Sequence, residues 1–151
     1  MTSEEFVALA ARLETASTVL RHGGCLLQAI ARRYYLVYTI ACRAAERHGV
    51  KFRRGAITED GWPVSHQSLP DVVRALYTGM NSGPVFGGGP GVVRKGRLTD
   101  DAASFYTDLL QKDRKYADYG HGTVPEPYDA AKADRHLEWA NHLIEDLQTL
   151  L

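Results

Sequence analysis

Residues 25–48 read CLLQAIARRYYLVYTIACRAAERH, and the fold turns on them. Leu26, Ile30, Tyr34, Val37, Ala41 and Ala45 recur at steps of three and four, the period of one helix face. No glycine or proline interrupts the run, so the spacing predicts a helix from Cys25 to His48. Gly23 and Gly24 stand immediately before it. Upstream of those glycines, Phe6, Leu9, Leu13, Ala16 and Leu20 repeat the same period. Thr2 and Glu5 have the capping-box spacing, in which a hydroxyl and a carboxylate satisfy backbone N–H groups that the first turn leaves without partners. Two long helices joined by two glycines turn back on each other as an antiparallel hairpin.

The pattern continues outward. Residues 50–64 read as a loop containing Gly55, Gly61 and Pro63. A shorter helix follows, capped by Ser65 or Ser68 and tolerating Pro70 in its first turn. Leu69, Val72, Val73, Leu76 and Tyr77 form its apolar face, and Gly79 is its expected end. Residues 78–97 are glycine-rich and predict a flexible surface insertion. Their FGGGPG run is not a phosphate loop, since it lacks the Lys-Ser/Thr ending and follows no strand signal. Thr99, Asp100 and Asp101 open a fourth helix, with Ala102, Phe105, Leu109 and Tyr116 as its expected buried side and Gly120-His121-Gly122 as its end. After Pro125 and Pro127, Ala133, Leu137, Ala140, Ile144, Leu147 and Leu151 outline a fifth helix. No segment carries strand periodicity. The expectation is an all-α chain, one domain over 1–151, built as an antiparallel bundle of about five helices.

Composition narrows the function. Eighteen Lys and Arg balance eighteen Asp and Glu, which excludes a uniformly basic nucleic-acid coat but allows a local patch. No stretch approaches the roughly 20 apolar residues that span a bilayer, and the acidic MTSEEF start lacks the basic residues of a signal peptide. Two cysteines, with no paired Cys/His spacing, suit a reduced thiol protein and suggest no zinc. His136 and His142 are six apart on a helix and do not share a metal. The chain is therefore expected to be cytoplasmic, with no membrane contact, metal or cofactor. Arg32, Arg43 and Arg47 fall close to one angular position of the second helix, with Lys51, Arg53 and Arg54 just beyond. They form either a solvated face suited to a helix C-terminus or a contact for a polyanion such as RNA.

Two pieces stand out together: AIARRYYLVYTIACRAAERHG in the second helix and DRKYADYG at the end of the fourth. With HQSLPDVVRALY between them and EPYDAAKADRHLEWANHLIEDLQTLL closing the chain, their order resembles the HEPN superfamily (higher eukaryotes and prokaryotes nucleotide-binding). The match is closest to small bacterial members with an A-x-x-R-x-Y-Y-like signature in the second helix and R-x-x-A-D-Y in the fourth. Arg32 or Arg33 with Tyr34 and Tyr35 match the first; Arg114, Ala117, Asp118 and Tyr119 match the second. His66 stands where such proteins often carry a histidine before the third helix.

The resemblance implies a helical bundle that dimerises. Some members are metal-independent endoribonucleases of toxin–antitoxin or defence systems, with an R-x(4–6)-H motif from each protomer facing one cleft. Carried to this chain, Arg114 would steady charge on the scissile phosphate and His121, with six residues between them, would move a proton. Arg32, Arg43 and Arg47 would hold RNA by charge, and Tyr119 is the candidate for modification by a nucleotidyltransferase-type antitoxin. Lys115 departs from the small polar residue common after the arginine in active members, and the R-x-x-A-D-Y subgroup need not carry the histidine. The alternative is a non-catalytic interaction module that binds a nucleotidyltransferase partner or a nucleotide. In plain helix terms, Arg114 and Asp118 are an i, i+4 pair and His121 a turn residue at a helix end.

Overall fold

Capping chemistry sets where the helices begin. The Thr2 hydroxyl accepts the Glu5 N–H at 3.2 Å and the Glu5 carboxylate accepts the Thr2 N–H at 2.7 Å, so the expected capping box is formed. The Thr99 hydroxyl accepts the Ala102 N–H at 3.2 Å. Asp129, not singled out by pattern, caps the last helix through the Lys132 N–H at 2.8 Å. The computed structural model describes residues 2–50, 65–81, 96–120 and 129–151. These form α1 (Ser3–His22), α2 (Leu26–Arg47), a 3-10 turn (His66–Ser68), α3 (Leu69–Asn81), α4 (Asp100–Tyr119) and α5 (Ala130–Gln148). The described chain is an all-α helical bundle without strands.

α2 is the axis. α1, α3, α4 and α5 all pack against it, and α4 also touches α3 and α5. Burial on α2 therefore exceeds one stripe: Ile30, Tyr34, Val37, Ile40, Ala41 and Ala45 are all fully covered, as expected of a helix surrounded by others. α1 lies against α2 alone in any extent and buries only Ser17, whose hydroxyl donates to the Ala29 carbonyl at 2.8 Å. The core is thus α2 with α3, α4 and α5, and the first helix is peripheral.

Two expectations are corrected. The third helix does not stop at Gly79 but continues to Asn81, so the first residues assigned to the glycine-rich insertion, from Thr78, are helical. Packing overrides the roughly 1 kcal/mol helix cost of glycine, since Met80 is 2% exposed against the core. Residues 82–95 of the insertion lie outside the described residues, and Gly96 and Arg97 at its end are described. The fourth helix is rotated relative to its apolar pattern. Its buried residues are Ala103, Ser104, Thr107, Leu110, Gln111, Asp113 and Arg114, while Phe105 is 58% exposed. Polar partners on α2 and α5 select this face.

One carboxylate fixes how α4 enters the bundle. Asp146 of α5, buried, accepts the Tyr77 hydroxyl at 2.7 Å, the Arg97 N–H at 2.9 Å and the Leu98 N–H at 3.3 Å. Gly96 passes so close to α3 that a Cβ there would lie 2.8 Å from the Tyr77 ring, so only glycine fits. Among the described residues no helix is long and apolar enough to cross a membrane.

Candidate functional site

α2 and α4 cross so that the two sequence signatures meet. Tyr34 and Tyr38 are one turn apart on α2, with Tyr35 beside them. The last turn of α4 brings Arg114, Asp118 and Tyr119 against these rings, and Gly120 closes that helix in the left-handed conformation, φ 62°. The 3-10 turn supplies His66. It is held by Ser65, whose hydroxyl accepts the Ser68 N–H at 3.2 Å.

Arg114 is 5% exposed, and its guanidinium carbon lies 5.6 Å from the Tyr34 ring, 5.7 Å from Tyr35 and 5.6 Å from Tyr119. Cation–π attraction in this cage offsets part of the desolvation of the charge. Asp118 stands 3.8 Å away, an ion pair too long to be a hydrogen bond. The Asp118 carboxylate is bound instead by the Tyr35 hydroxyl, which donates to it at 2.9 Å. Among the described residues the buried Arg114 Nε has no hydrogen-bond partner. A covered cation with an unfilled donor is costly and calls for an acceptor.

Tyr34 and His66 form the second half of the cluster. The Tyr34 hydroxyl and His66 Nδ1 are 2.9 Å apart. The His66 ring lies 4.2 Å from Tyr38, 5.7 Å from Tyr34 and 6.0 Å from Tyr35. Burial drives the Tyr34 phenol far above its ordinary range, against a lowering pull from Arg114. Burial, then the bond to Asp118, raises Tyr35 as well. Both phenols keep their protons at neutral pH, and Tyr35 donates its own to Asp118.

The candidate residues separate into two groups. Arg32 is exposed and its guanidinium lies 5.9 Å from the Tyr35 ring, so it borders the Arg114 cluster. Arg43 and Arg47 lie about 16 Å or more along the helix axis from Arg32, at the other end of α2. There Arg43 pairs with Glu46 at 3.2 Å and donates to the Ser3 hydroxyl at 3.3 Å. Arg47 donates to the Leu151 carbonyl, and the three side chains Arg43, Glu46 and Arg47 line a shallow pocket. The three arginines therefore do not make one continuous surface. Tyr119 is 61% exposed and forms the outer wall of the Arg114 cage. His121, Lys51, Arg53 and Arg54 lie outside the described residues.

Tyr34 and Tyr38 are buried, but they also present ring faces to His66 and, for Tyr34, to Arg114. Missed entirely were the buried Asp113–His136 pair joining α4 to α5, and the Asp146 anchor. A signal existed for two of them: His136 keeps the step with Ala133 and Ala140, and Asp146 with Leu143 and Leu150. A polar residue at a core position implies a partner. Among the described residues no group of three or more His, Cys, Asp or Glu could hold a metal. Comparison with protein-family models, with curated proteins and with solved structures finds no match to this chain.

Proposed function

We propose that this chain is a HEPN-like module that engages RNA, as an RNA-binding protein or metal-independent endoribonuclease of a toxin–antitoxin or defence-type system, working as a homodimer. One observation carries the reading: the two signatures behind the resemblance converge on the buried guanidinium of Arg114, whose Nε donor is unfilled among the described residues. A phosphate oxygen is the acceptor such a group suits, because guanidinium and phosphate match in charge and geometry. Exposed Arg32 beside Tyr35 would extend the positive surface toward the RNA backbone. Tyr119 is the outer wall of this cage, exposed on one side and against Arg114 on the other. In the cleaving form of the reading, Arg114 neutralises charge on the scissile phosphate and His121 serves as a proton-transfer group.

A second reading is favoured by the depth of Arg114. Its side chain is 6% exposed, so phosphate contact requires Tyr119 or Asp118 to move aside. A guanidinium that stays closed in its cage suits a non-catalytic interaction module, with a nucleotidyltransferase partner or a nucleotide bound elsewhere. The two readings part in an RNA cleavage assay with EDTA present, using wild type, Arg114→Ala and His121→Ala. The nuclease form predicts cleavage by wild type alone. Equal cleavage by all three places the activity elsewhere, and cleavage by none leaves the binding forms.

A further inference from the structure

We propose that the outward face of α4 is where two copies of this chain pair, the two helices running antiparallel about a two-fold axis. This rests on the homodimer part of the reading above and says which face forms it. The observation is a mismatch between the apolar pattern of α4 and its burial. Ala102, Phe105, Leu109 and Tyr116 recur at helical spacing and fall within about 60° of one another around the helix. Yet the core takes Ala103 and Leu110 from α4 instead. Phe105 is exposed, and Ala102, Leu109 and Tyr116 are only half-buried. Beside the stripe, Tyr106 leans on half-buried Trp139 of α5, their rings stacked 4.4 Å apart and 9° from parallel, which carries the aromatic surface across to the next helix. Such a stripe on a 20-residue helix, about 30 Å long, is a face that a second amphipathic helix covers.

Charge selects the occupant and its direction. Asp108 and Lys112 flank the stripe on one side, paired with each other at 2.7 Å and open to solvent. Parallel pairing of two α4 helices sets Asp108 against Asp108 and Lys112 against Lys112. Antiparallel pairing sets each acid against the lysine of the second copy. A two-fold contact must be complementary to itself, and this flank is so in that one direction. With the axis passing between Leu110 and Gln111, Phe105 is level with Tyr116 of the second copy. Asp108 is then one residue, about 1.5 Å, from the level of Lys112 of the second copy, and the two Leu109 side chains meet near the axis. Arg114 lies about half a turn around α4 from the stripe, against the Tyr34 and Tyr35 rings of α2. Pairing through this face therefore leaves the two Arg114 cages turned away from the contact, the opposite of the shared cleft that the resemblance implies.

The test is sedimentation velocity of the full chain over a concentration series, with helical circular dichroism as the check of folding. Wild type should be a dimer that dissociates on dilution. Phe105→Asp, a change at an exposed position, should weaken dimerisation about tenfold or more with helical content retained. Asp108→Lys makes the two flank positions both positive, and Lys112→Asp makes them both negative. Each of these variants alone should weaken the dimer roughly threefold or more. Mixed in equal amounts, the two should form a heterodimer at least as strong as the wild-type dimer. Loss of the Asp108–Lys112 pair within each helix cannot produce that recovery, so the mixture decides even if Phe105→Asp loses its helices. An undiminished dimer in folded Phe105→Asp overturns the inference while the homodimer stands. A mixture that dimerises no better than its components overturns it too, since the flanks then do not meet. A wild type that stays monomeric at every concentration overturns both the inference and the homodimer.

Discussion

Arg114 is the residue on which function and stability pull apart. Its charge is covered, its Nε has no acceptor among the described residues, and its carboxylate neighbour is 3.8 Å away. Replacing a buried, incompletely paired ion with an apolar side chain of similar size is often neutral or stabilising. Arg114→Leu should therefore leave the urea midpoint unchanged or raise it, while removing RNA engagement. A loss of more than about 2 kcal/mol would identify Arg114 as a structural clasp and favour the second reading. The buried phenols give a second prediction at this scale. Tyr34 and Tyr77 are both held protonated, chiefly by burial, and Tyr77 also by its bond to Asp146. Their folded-state ionisation lies above the unfolded value of about 10, so the stability they contribute is intact below that pH and declines as pH rises beyond it. Spectrophotometric titration of the eight tyrosines should show some ionising only together with loss of helical circular dichroism. All eight titrating freely with the helices intact would contradict the buried cluster.

At the scale of elements, the helices were legible because caps and period agree. Thr2, Glu5 and Thr99 sit where the capping bonds form, and α2 keeps its period from end to end. The rotation of α4 was not legible, because its buried face is largely polar beside Ala103 and Leu110, while Phe105 points outward. Hydrophobic counting cannot find a face chosen by Asp113, Arg114 and their partners on other helices. The candidate site was legible only in pieces: Arg114, Tyr34 and Tyr35 belong to separate motifs, and nothing local tells that His66 closes onto Tyr34 across 32 residues. The Asp146 anchor is a similar long-range event. Asp146→Ala would leave the Arg97 and Leu98 N–H groups and the Tyr77 hydroxyl without their acceptor, and should destabilise the fold by roughly 1–3 kcal/mol. Urea unfolding checks this. An unchanged midpoint would mean that α4 does not depend on α5 for its entry into the bundle.

For the whole molecule, balanced charge removes long-range attraction to RNA, so binding has to come from a local site. Arg32 beside the Arg114 cage supplies one, while Arg43 and Arg47 at the far end of α2 already have Glu46, Ser3 and Leu151 as partners. A small number of phosphate contacts therefore predicts a shallow dependence of affinity on salt. The most direct measurement is a fluorescence-anisotropy titration of a labelled single-stranded RNA with the full chain and with Arg114→Leu, repeated across a salt series. The account predicts saturable binding by wild type, weakening with salt at a slope of a few phosphates, and a loss of at least tenfold in affinity for Arg114→Leu with its helical content retained. Equal affinity of the two proteins would contradict it.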